Sequence, residues 1–219
     1  MRIRHPNNTA LKLWYETHYR GLPVQIQRGP LVEDYLDRLH QTMLKALAAH
    51  PRTLAFRADL RLPDWMGVLN EFTHNALIQR FVDSFKSKVS HNRQVARQRL
   101  ERFHETDVRY AWAREIGMHG KPHYHFAFFL NHDAFHTFGR FEPGLRNLFN
   151  YLHEAWASAL KIPAQQAYGL VHFAEGGACH LKANDPQSVA DFFYVASYLC
   201  KAATKQYGNG AHGFGCSRI

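Results

Sequence analysis

The sequence predicts an α+β domain, a central antiparallel sheet flanked by helices, and three observations support this class. The run Thr53–Leu62 alternates apolar and charged residues with the period of a β-strand. Two further strand-like runs are joined by a short loop that contains two glycines, as is typical of an antiparallel hairpin. Helical and strand patterns follow one another in the order α-β-α-β-β-α-β-α, which favours an antiparallel sheet with helices packed against it.

The N-terminal third of the chain predicts an arm and a helix. Residues 1–29 are polar, hold two prolines and two glycines, and predict an irregular arm, so that the domain proper spans residues 30–219. From Pro30 to about His50, apolar residues recur at helical spacing, and Pro51 ends the pattern.

A strand and a second helix follow. In Thr53–Leu62 one face is apolar, whereas the other face carries charged residues and is expected to be open to solvent. Residues 73–104, from Thr73 to His104, contain neither glycine nor proline and predict a helix whose second part is basic.

The remaining elements are a hairpin, two helices and two strands. The hairpin joins Val108–Ile116 to His123–Asn131. A helix is predicted from Pro143 to about Leu160, and a strand over Tyr168–Phe173. Further elements are predicted in the C-terminal part: an N-cap at Asp185, with Pro186 at the first helical position, a helix to about Lys205, and a short edge strand within Gly208–Ile219.

Composition excludes several classes of protein. The chain has 219 residues, 46% of them apolar, which is enough for a core and excludes wholesale disorder. It has no run of about 18 apolar residues, so we expect no membrane-spanning helix, and its first residues lack a signal-peptide pattern. Three cysteines without C-x-x-C spacing indicate free thiols in a reducing compartment. The net charge of +9 favours a polyanionic partner, usually nucleic acid.

A pair of histidines on one strand predicts a metal site. The period of two places His123 and His125 on the same face, where adjacent imidazoles form half of a site for a divalent cation. Glu115, on the other strand of the hairpin, lies opposite His123 if the loop has five residues, whereas a four-residue loop turns it away. The small residues of the histidine face favour the first register. Two imidazoles and one carboxylate suit Mg²⁺ or Mn²⁺, although zinc could occupy the same ligands.

A second group of reactive side chains falls on the last predicted helix. At 3.6 residues per turn, Tyr194, Tyr198, Lys201 and Lys205 lie within an arc of about 60°. A tyrosine can attack a phosphodiester and hold the strand as a phosphotyrosine, and a nearby ammonium group would stabilise the phenolate or the phosphate. The same pattern also fits an ordinary amphipathic helix with tyrosine and lysine on its polar face.

Taken together, the H-x-H strand and the following Y-x-x-x-Y-x-x-K helix resemble the HUH single-strand endonucleases that start rolling-circle replication. Among these, the chain is most similar to the inovirus gene-II-type initiators of filamentous phages and integrated elements. The matching stretches cover roughly residues 50–219, and they are LAFRADLRLP, VRYAWAREIGMHGKPHYHFAFFLN, GLVHF, the tyrosine helix and the closing FGCSR.

The resemblance implies an RRM-palm-like domain that nicks one DNA strand, leaves a 5′-phosphotyrosine and frees a 3′-OH to prime synthesis. It implies a Mg²⁺- or Mn²⁺-dependent enzyme of the bacterial cytoplasm that acts on single-stranded or hairpin origin DNA, together with a host helicase and polymerase. Glu115, His123 and His125 would hold the metal and Lys201 would be the motif lysine. Tyr194 and Tyr198 would be nucleophiles, with Tyr198 ranked first.

Nucleic-acid contacts are predicted at charged positions on the first strand, the hairpin and the last helix, where an ordinary solvated charge is the alternative interpretation. They are Arg57, Asp59, Arg61, Arg109, Lys121 and Lys205.

Other functions fit parts of the pattern. A mobilisation relaxase or a transposase would use the same chemistry, and a non-catalytic module that binds origin DNA would need neither metal nor tyrosine. A structural zinc domain would need a fourth ligand, for which His172, Cys179 and His180 are the candidates.

Overall fold

A computed structural model of the chain describes residues 3–66, 76–117, 120–203, 205–207, 210 and 212–218, with only the backbone of 175–177. It confirms the α+β class, with a five-stranded antiparallel sheet at its centre. Among the described residues, no helix combines the length and apolar character needed to cross a membrane.

Four α-helices lie within the described part of the chain. Their bounds are α1 Glu33–Ala49, α2 Ala76–Arg99, α3 Leu148–Leu160 and α4 Pro186–Ala196. The basic part of the second predicted helix thus continues α2 as one helix, and the predicted start at Thr73 lies outside the described residues. Helix α3 begins later than predicted, because the side chain of Asn147 caps it by accepting a hydrogen bond from the Asn150 amide.

The strands of the central sheet are β6 Arg52–Leu60, β7 Arg109–Ile116, β8 Pro122–Asn131, β9 Val171–Lys182 and β10 Phe214–Cys216. Their order in space is β10-β7-β8-β6-β9. The hairpin and the C-terminal edge strand are confirmed. Strand β9 extends well beyond the predicted Phe173, because its glycine pair hides the apolar alternation that a strand normally shows.

The prediction that residues 1–29 form an irregular arm is wrong, because these residues form four short strands: β1 Arg4–His5, β2 Asn8–Trp14, β3 His18–Tyr19 and β4 Leu22–Pro23. Just after the arm, β5 Leu31–Val32 pairs with β2. The apolar arm residues Leu13, Tyr19 and Val24 are buried in the same core cluster as α1. These few apolar contacts attach the arm to the domain. The mostly polar composition of the arm gave no indication of them.

The two faces of the central sheet pack differently. One face carries bulky side chains, such as Trp112, Tyr124 and Phe128, that pack with α2 and α3. The other face carries alanines, including Ala111, Ala113 and Ala127, whose small size lets α1 and α4 approach the sheet. The histidine face of the hairpin is this alanine face.

The expectation that the charged face of Thr53–Leu62 is open to solvent is wrong for most of β6. The strand is paired on both edges, with β8 and β9, and Ala55 and Arg57 on the predicted open face are buried. Val195 of α4 and Tyr198 after it contact Arg57, so this charge lies inside the molecule, where it pairs with the partly exposed Asp59. Arg61, just beyond the strand, is exposed as expected.

Candidate metal centre and tyrosine site

The hairpin register brings the three predicted metal ligands together. Ile116 pairs with Pro122 and Glu115 with His123, so the loop has five residues, of which Met118 and His119 lie outside the described residues. The side chains on the histidine face therefore include the carboxylate, as the alanine-rich pattern of that face predicts.

The ligand atoms of this group converge. Oε2 of Glu115 lies 3.6 Å from Nε2 of His123 and 3.4 Å from Nε2 of His125. Within the described part of the chain, Glu115, His123 and His125 form the one group of three or more such residues whose ligand atoms all lie within 4.8 Å of one another. The proposed structural zinc site with His172, Cys179 or His180 finds no support in this geometry.

The environment of His125 fits a ligand for a divalent cation. Both of its ring nitrogens are buried, and neither makes a well-directed hydrogen bond to any described residue. Nδ1 lies only 2.7 Å from Oδ1 of Asp59, a short contact whose direction is not that of a good hydrogen bond. A carboxylate beside the outer nitrogen of an imidazole is a common support of metal-binding histidines. Two imidazoles, a buried carboxylate and an unsatisfied ring nitrogen can therefore hold a divalent ion.

Two lysines contact the same carboxylate from its other sides. Nζ of Lys201 lies 2.8 Å from Oε2 of Glu115, and Nζ of Lys205 lies 3.1 Å from Oε1. The side chain of Lys205 is fully buried and that of Glu115 is 2% exposed, so this ion pair is shielded from water. Lys205, predicted at a nucleic-acid surface, thus has its ammonium group inside the protein.

The charges of the cluster shift its pKa values. Burial alone would raise the pKa of Glu115, but the contacts with His123 and His125 and the charge of Lys205 outweigh burial and hold that pKa well below its usual range. Burial lowers the pKa of Lys205, whereas Glu115 and Tyr198 overcome the effect of burial and raise the pKa of Lys201. The carboxylate is therefore anionic and Lys201 cationic at neutral pH.

Tyr198 is part of this cluster. Lys201 donates a hydrogen bond of 2.7 Å to its hydroxyl oxygen, and the same ammonium group contacts Glu115. The ring centroid of Tyr198 lies 5.0 Å from that of His125, and the guanidinium carbon of Arg57 lies 4.6 Å from it on a face of the ring. A single lysine thus links the phenol to the metal-ligand group.

Tyr194 occupies a different environment. Its hydroxyl accepts a hydrogen bond of 2.5 Å from Nε2 of Gln27, a residue of the N-terminal arm. The structure separates the two tyrosines, which the predicted helical stripe placed side by side.

The predicted stripe of four side chains on one helix face is wrong, because the helix ends before the predicted Lys205. Helix α4 stops at Ala196 and a short 3₁₀ helix, Ser197–Cys200, follows. The hydroxyl of Ser197 donates to the carbonyl of Tyr194 and accepts from the amide of Gln25, while the amide of Ala202 donates to the carbonyl of Pro30. These hydrogen bonds to Gln25 and Pro30 change the direction of the backbone after Ala196. The sequence of the helix itself does not predict them.

Arg57 and Asp59, two of the predicted nucleic-acid contacts, belong to the cluster. Arg57 donates to Oδ1 of Asp59 at 3.2 Å. Burial would raise the pKa of Asp59, but contacts with His125 and Arg57 lower it overall. Both residues therefore support the site from within the protein.

The other three predicted contacts are spread over the molecule. Arg109 pairs with Asp107 at 2.8 Å, at the end of β7 remote from Glu115. The ammonium group of Lys121 bonds to the carbonyls of Pro63 and Asp64. Arg61 is exposed.

Residues 15–217 match the sequence profile of the YagK/YfjJ C-terminal domain. The chain belongs to this family. Two relatives from Escherichia coli strain K12 align with it: "Uncharacterized protein YfjJ" is 32% identical over 201 residues, and "Uncharacterized protein YagK" is 27% identical over 199. Each alignment covers 87% of this chain, with 96% of YfjJ and 95% of YagK. No solved structure matches the chain.

The match to the YagK/YfjJ C-terminal domain includes the whole cluster, from Arg57 on β6 to Lys205. It also includes Gln25 and Gln27 of the arm, whose contacts with the tyrosine segment sequence patterns did not reveal. In this YagK/YfjJ domain, strands β6, β7 and β8 and the C-terminal segment each contribute to one site.

Proposed function

We propose that this domain is a metal-dependent single-strand DNA nickase and ligase that works through a tyrosine. The observation that carries the proposal is the hydrogen bond from Lys201 to the Tyr198 hydroxyl, made by an ammonium group that also touches the Glu115 carboxylate. A phenol beside a Glu-His-His group combines a nucleophile with residues that could hold a divalent ion to neutralise charge on a phosphate. The resemblance to the HUH initiators of rolling-circle replication supports the same chemistry.

In the proposed reaction, the Tyr198 oxygen attacks a phosphorus atom of the DNA backbone. An O–P bond to Tyr198 forms, the bond from phosphorus to the 3′ oxygen breaks, the phenol proton leaves to water, and the 3′ oxygen takes up a proton. The products are a 5′-phosphotyrosine and a free 3′-OH, so the bond energy is conserved and the reverse reaction rejoins the strand.

The residues around Tyr198 would each assist this step. Glu115, His123 and His125 would hold a divalent ion, which supplies charge neutralisation at the scissile phosphate. The ammonium group of Lys201 would stabilise the phenolate that develops on Tyr198. Arg57, stacked on the ring and bonded to Asp59, positions Tyr198 rather than contacting the reacting atoms.

Tyr194 is the weaker candidate for the nucleophile, because its hydroxyl contacts Gln27 rather than the metal-ligand group. We propose that Tyr198 opens the strand. In a two-tyrosine scheme, Tyr194 would act only in the closing step, after a rearrangement that frees its hydroxyl.

The biological context follows from the same proposal. A nickase of this type would act on single-stranded or hairpin origin DNA of a phage or mobile element in the bacterial cytoplasm, and a host helicase and polymerase would extend the freed 3′ end. A relaxase or transposase of a mobile element would share the chemistry and differ in the DNA that it selects.

The test is formation of a covalent adduct. The protein is incubated with Mn²⁺ and a randomised single-stranded oligonucleotide library labelled at the 3′ end, because a 5′-phosphotyrosine retains the 3′ fragment. A labelled band at the size of protein plus DNA on a denaturing gel is expected for the wild type and for Tyr194→Phe, and its loss for Tyr198→Phe and in excess EDTA. An adduct that persists in Tyr198→Phe would contradict the proposal, and DNA binding without any adduct would favour a non-catalytic module.

A further inference from the structure

The segment that follows β6 presents a tryptophan to solvent near the end of β6 and the start of β8. Trp65 is 67% exposed, a larger fraction than for the other exposed large apolar residues of the described chain, of which Phe141 comes next at 61%. A single exposed aromatic residue is ordinary on a protein surface. The exposure of Trp65 indicates a binding surface only because of the residues that surround it.

The backbone on both sides of Trp65 is fixed. Leu62 and Met66 are 6% and 7% exposed and pack in the aromatic core, and the Met66 amide donates to the carbonyl of Pro63 at 3.1 Å. The indole of Trp156 donates to the carbonyl of Arg61 at 2.8 Å. The segment is therefore held in place while one large apolar side chain points outward, so a ligand that covers the indole has little backbone to order.

The same segment is tied to the hairpin that carries the metal ligands. Nζ of Lys121 bonds to the carbonyl of Pro63 at 3.3 Å and to that of Asp64. Lys121 precedes His123 by two residues, and Arg61 follows Asp59 by two residues. Trp65 and the exposed Arg61 thus lie beside the ends of the two strands that carry the site cluster.

We propose that Trp65 and Arg61 form a docking surface for single-stranded nucleic acid, in which the indole stacks on an unpaired base and the guanidinium contacts an adjoining phosphate. Aromatic stacking combined with a cationic neighbour is the chemistry by which proteins hold unpaired strands without reading their sequence. This inference rests on the proposed function for its substrate, and it adds a binding surface beside the ends of two strands that carry site residues.

The test measures binding apart from chemistry. Fluorescence anisotropy of labelled oligothymidylate is recorded in EDTA, for the wild type, Trp65→Ala, Trp65→Phe and Phe141→Ala. Trp65→Ala is expected to weaken binding roughly 5- to 150-fold, the range that corresponds to the loss of one stacked base. Trp65→Phe should keep most of the affinity, and Phe141→Ala, an exposed aromatic residue packed with Phe149 and Phe173, should keep all of it.

A second measurement reports the stacking itself. Quenching of tryptophan fluorescence by oligothymidylate is expected in the wild type, and most of it should be lost in Trp65→Phe, because Trp112 and Trp156 are buried and Trp14 is half-buried. Arg61→Gln should reduce the salt dependence of binding by about 0.7 in the slope of log K against log salt.

The outcomes separate this inference from the proposed function. If the wild type forms the covalent adduct and Trp65→Ala binds oligothymidylate as tightly as the wild type, the docking surface is wrong and the nickase stands. If binding depends on Trp65 but no adduct forms, the surface stands and the nickase is wrong.

Discussion

Two groups of histidines lie at opposite ends of β8, and only one has the geometry of a metal site. The site cluster consists of Arg57, Asp59, Glu115, His123, His125, Tyr198, Lys201 and Lys205. The distal cluster consists of His132, His136 and His180, with ring centroids 4.8 Å apart for His132 and His136 and 4.2 Å for His132 and His180.

Two ring nitrogens of the distal cluster contact protein groups outside the three imidazole rings. Arg52 contacts Nδ1 of His132 at 3.2 Å, and Nε2 of His180 contacts the carbonyl of His136 at 2.8 Å. In the site cluster, by contrast, a buried carboxylate oxygen faces two imidazole nitrogens. The distal cluster also has a carboxylate nearby, since Oδ1 of Asp133 lies 3.7 Å from Nδ1 of His132. The candidate metal site therefore differs in the convergence of a carboxylate with two imidazole nitrogens, which among the described residues only Glu115, His123 and His125 show.

The largest expected effect comes from removing that carboxylate charge. Glu115→Gln leaves the buried Lys205 without a counter-charge, and we expect it to lower the free energy of unfolding by about 3–5 kcal/mol. Urea denaturation in EDTA measures this difference. Asp133→Asn beside the distal cluster is the matched control and should change stability by less than about 1 kcal/mol, because the ion pair of Asp133 with Arg52 is partly exposed. If both variants lowered the free energy of unfolding by the same amount, the buried charge pairing proposed to set the site cluster apart from the distal cluster would be contradicted.

The next effect is stabilisation by metal. At Mn²⁺ concentrations about 100 times the dissociation constant, the free energy of unfolding should rise by about 2.7 kcal/mol. His123→Ala should lose this increment, because it removes a ligand, whereas His132→Ala should retain it. Urea denaturation with and without Mn²⁺ measures both. Loss of the increment in His132→Ala alone would assign the metal to the distal cluster.

The smallest effect concerns the pH dependence of the distal cluster. Burial lowers the pKa of His132, and the neighbouring charges of His180, His136 and Arg52 add to this, against a smaller opposing effect of Asp133. Below about pH 6.5 the unfolded chain binds a proton at His132 before the folded protein does, so stability falls as pH falls. The slope for this one group is at most about 1.4 kcal/mol per pH unit.

Replacing His132 isolates that slope. His132→Gln should make the loss of stability between pH 7.5 and 5.5 smaller than in the wild type, as urea denaturation at both values would show. His91→Gln, an exposed position on α2, should leave the wild-type slope unchanged. A steeper decline in His132→Gln would reverse the sign that burial predicts.

The hairpin and its register were predictable because the period of a strand and the parity of its loop fix which side chains share a face. The alanines opposite the aromatic residues decided between the two registers, and the placement of Glu115 beside His123 is confirmed. Local pattern was sufficient here because all three ligands come from one supersecondary unit.

The tyrosine segment was not predictable in the same way. Its backbone is redirected after Ala196 by bonds with Gln25 and Pro30, more than 150 residues earlier in the chain. Helical periodicity carries no information about such distant partners, so it wrongly placed Tyr194 beside Tyr198. It correctly grouped Lys201 and Lys205 but did not show that Lys205 is buried. The burial of Arg57 was not predicted for the same reason, because the residues that cover it, Val195 and Tyr198, are distant in sequence.

The ion pair between Glu115 and Lys205 joins residues 90 positions apart. Because a ribosome delivers a chain from its N-terminus, the β7–β8 hairpin leaves the ribosome long before Lys205 and Tyr198 do. A nascent chain therefore carries Glu115, His123 and His125 before Tyr198 and Lys205 have been synthesised. Docking of the C-terminal segment brings Tyr198 and both cationic partners of the carboxylate to the hairpin, so the candidate site is complete only when almost the whole chain has been made.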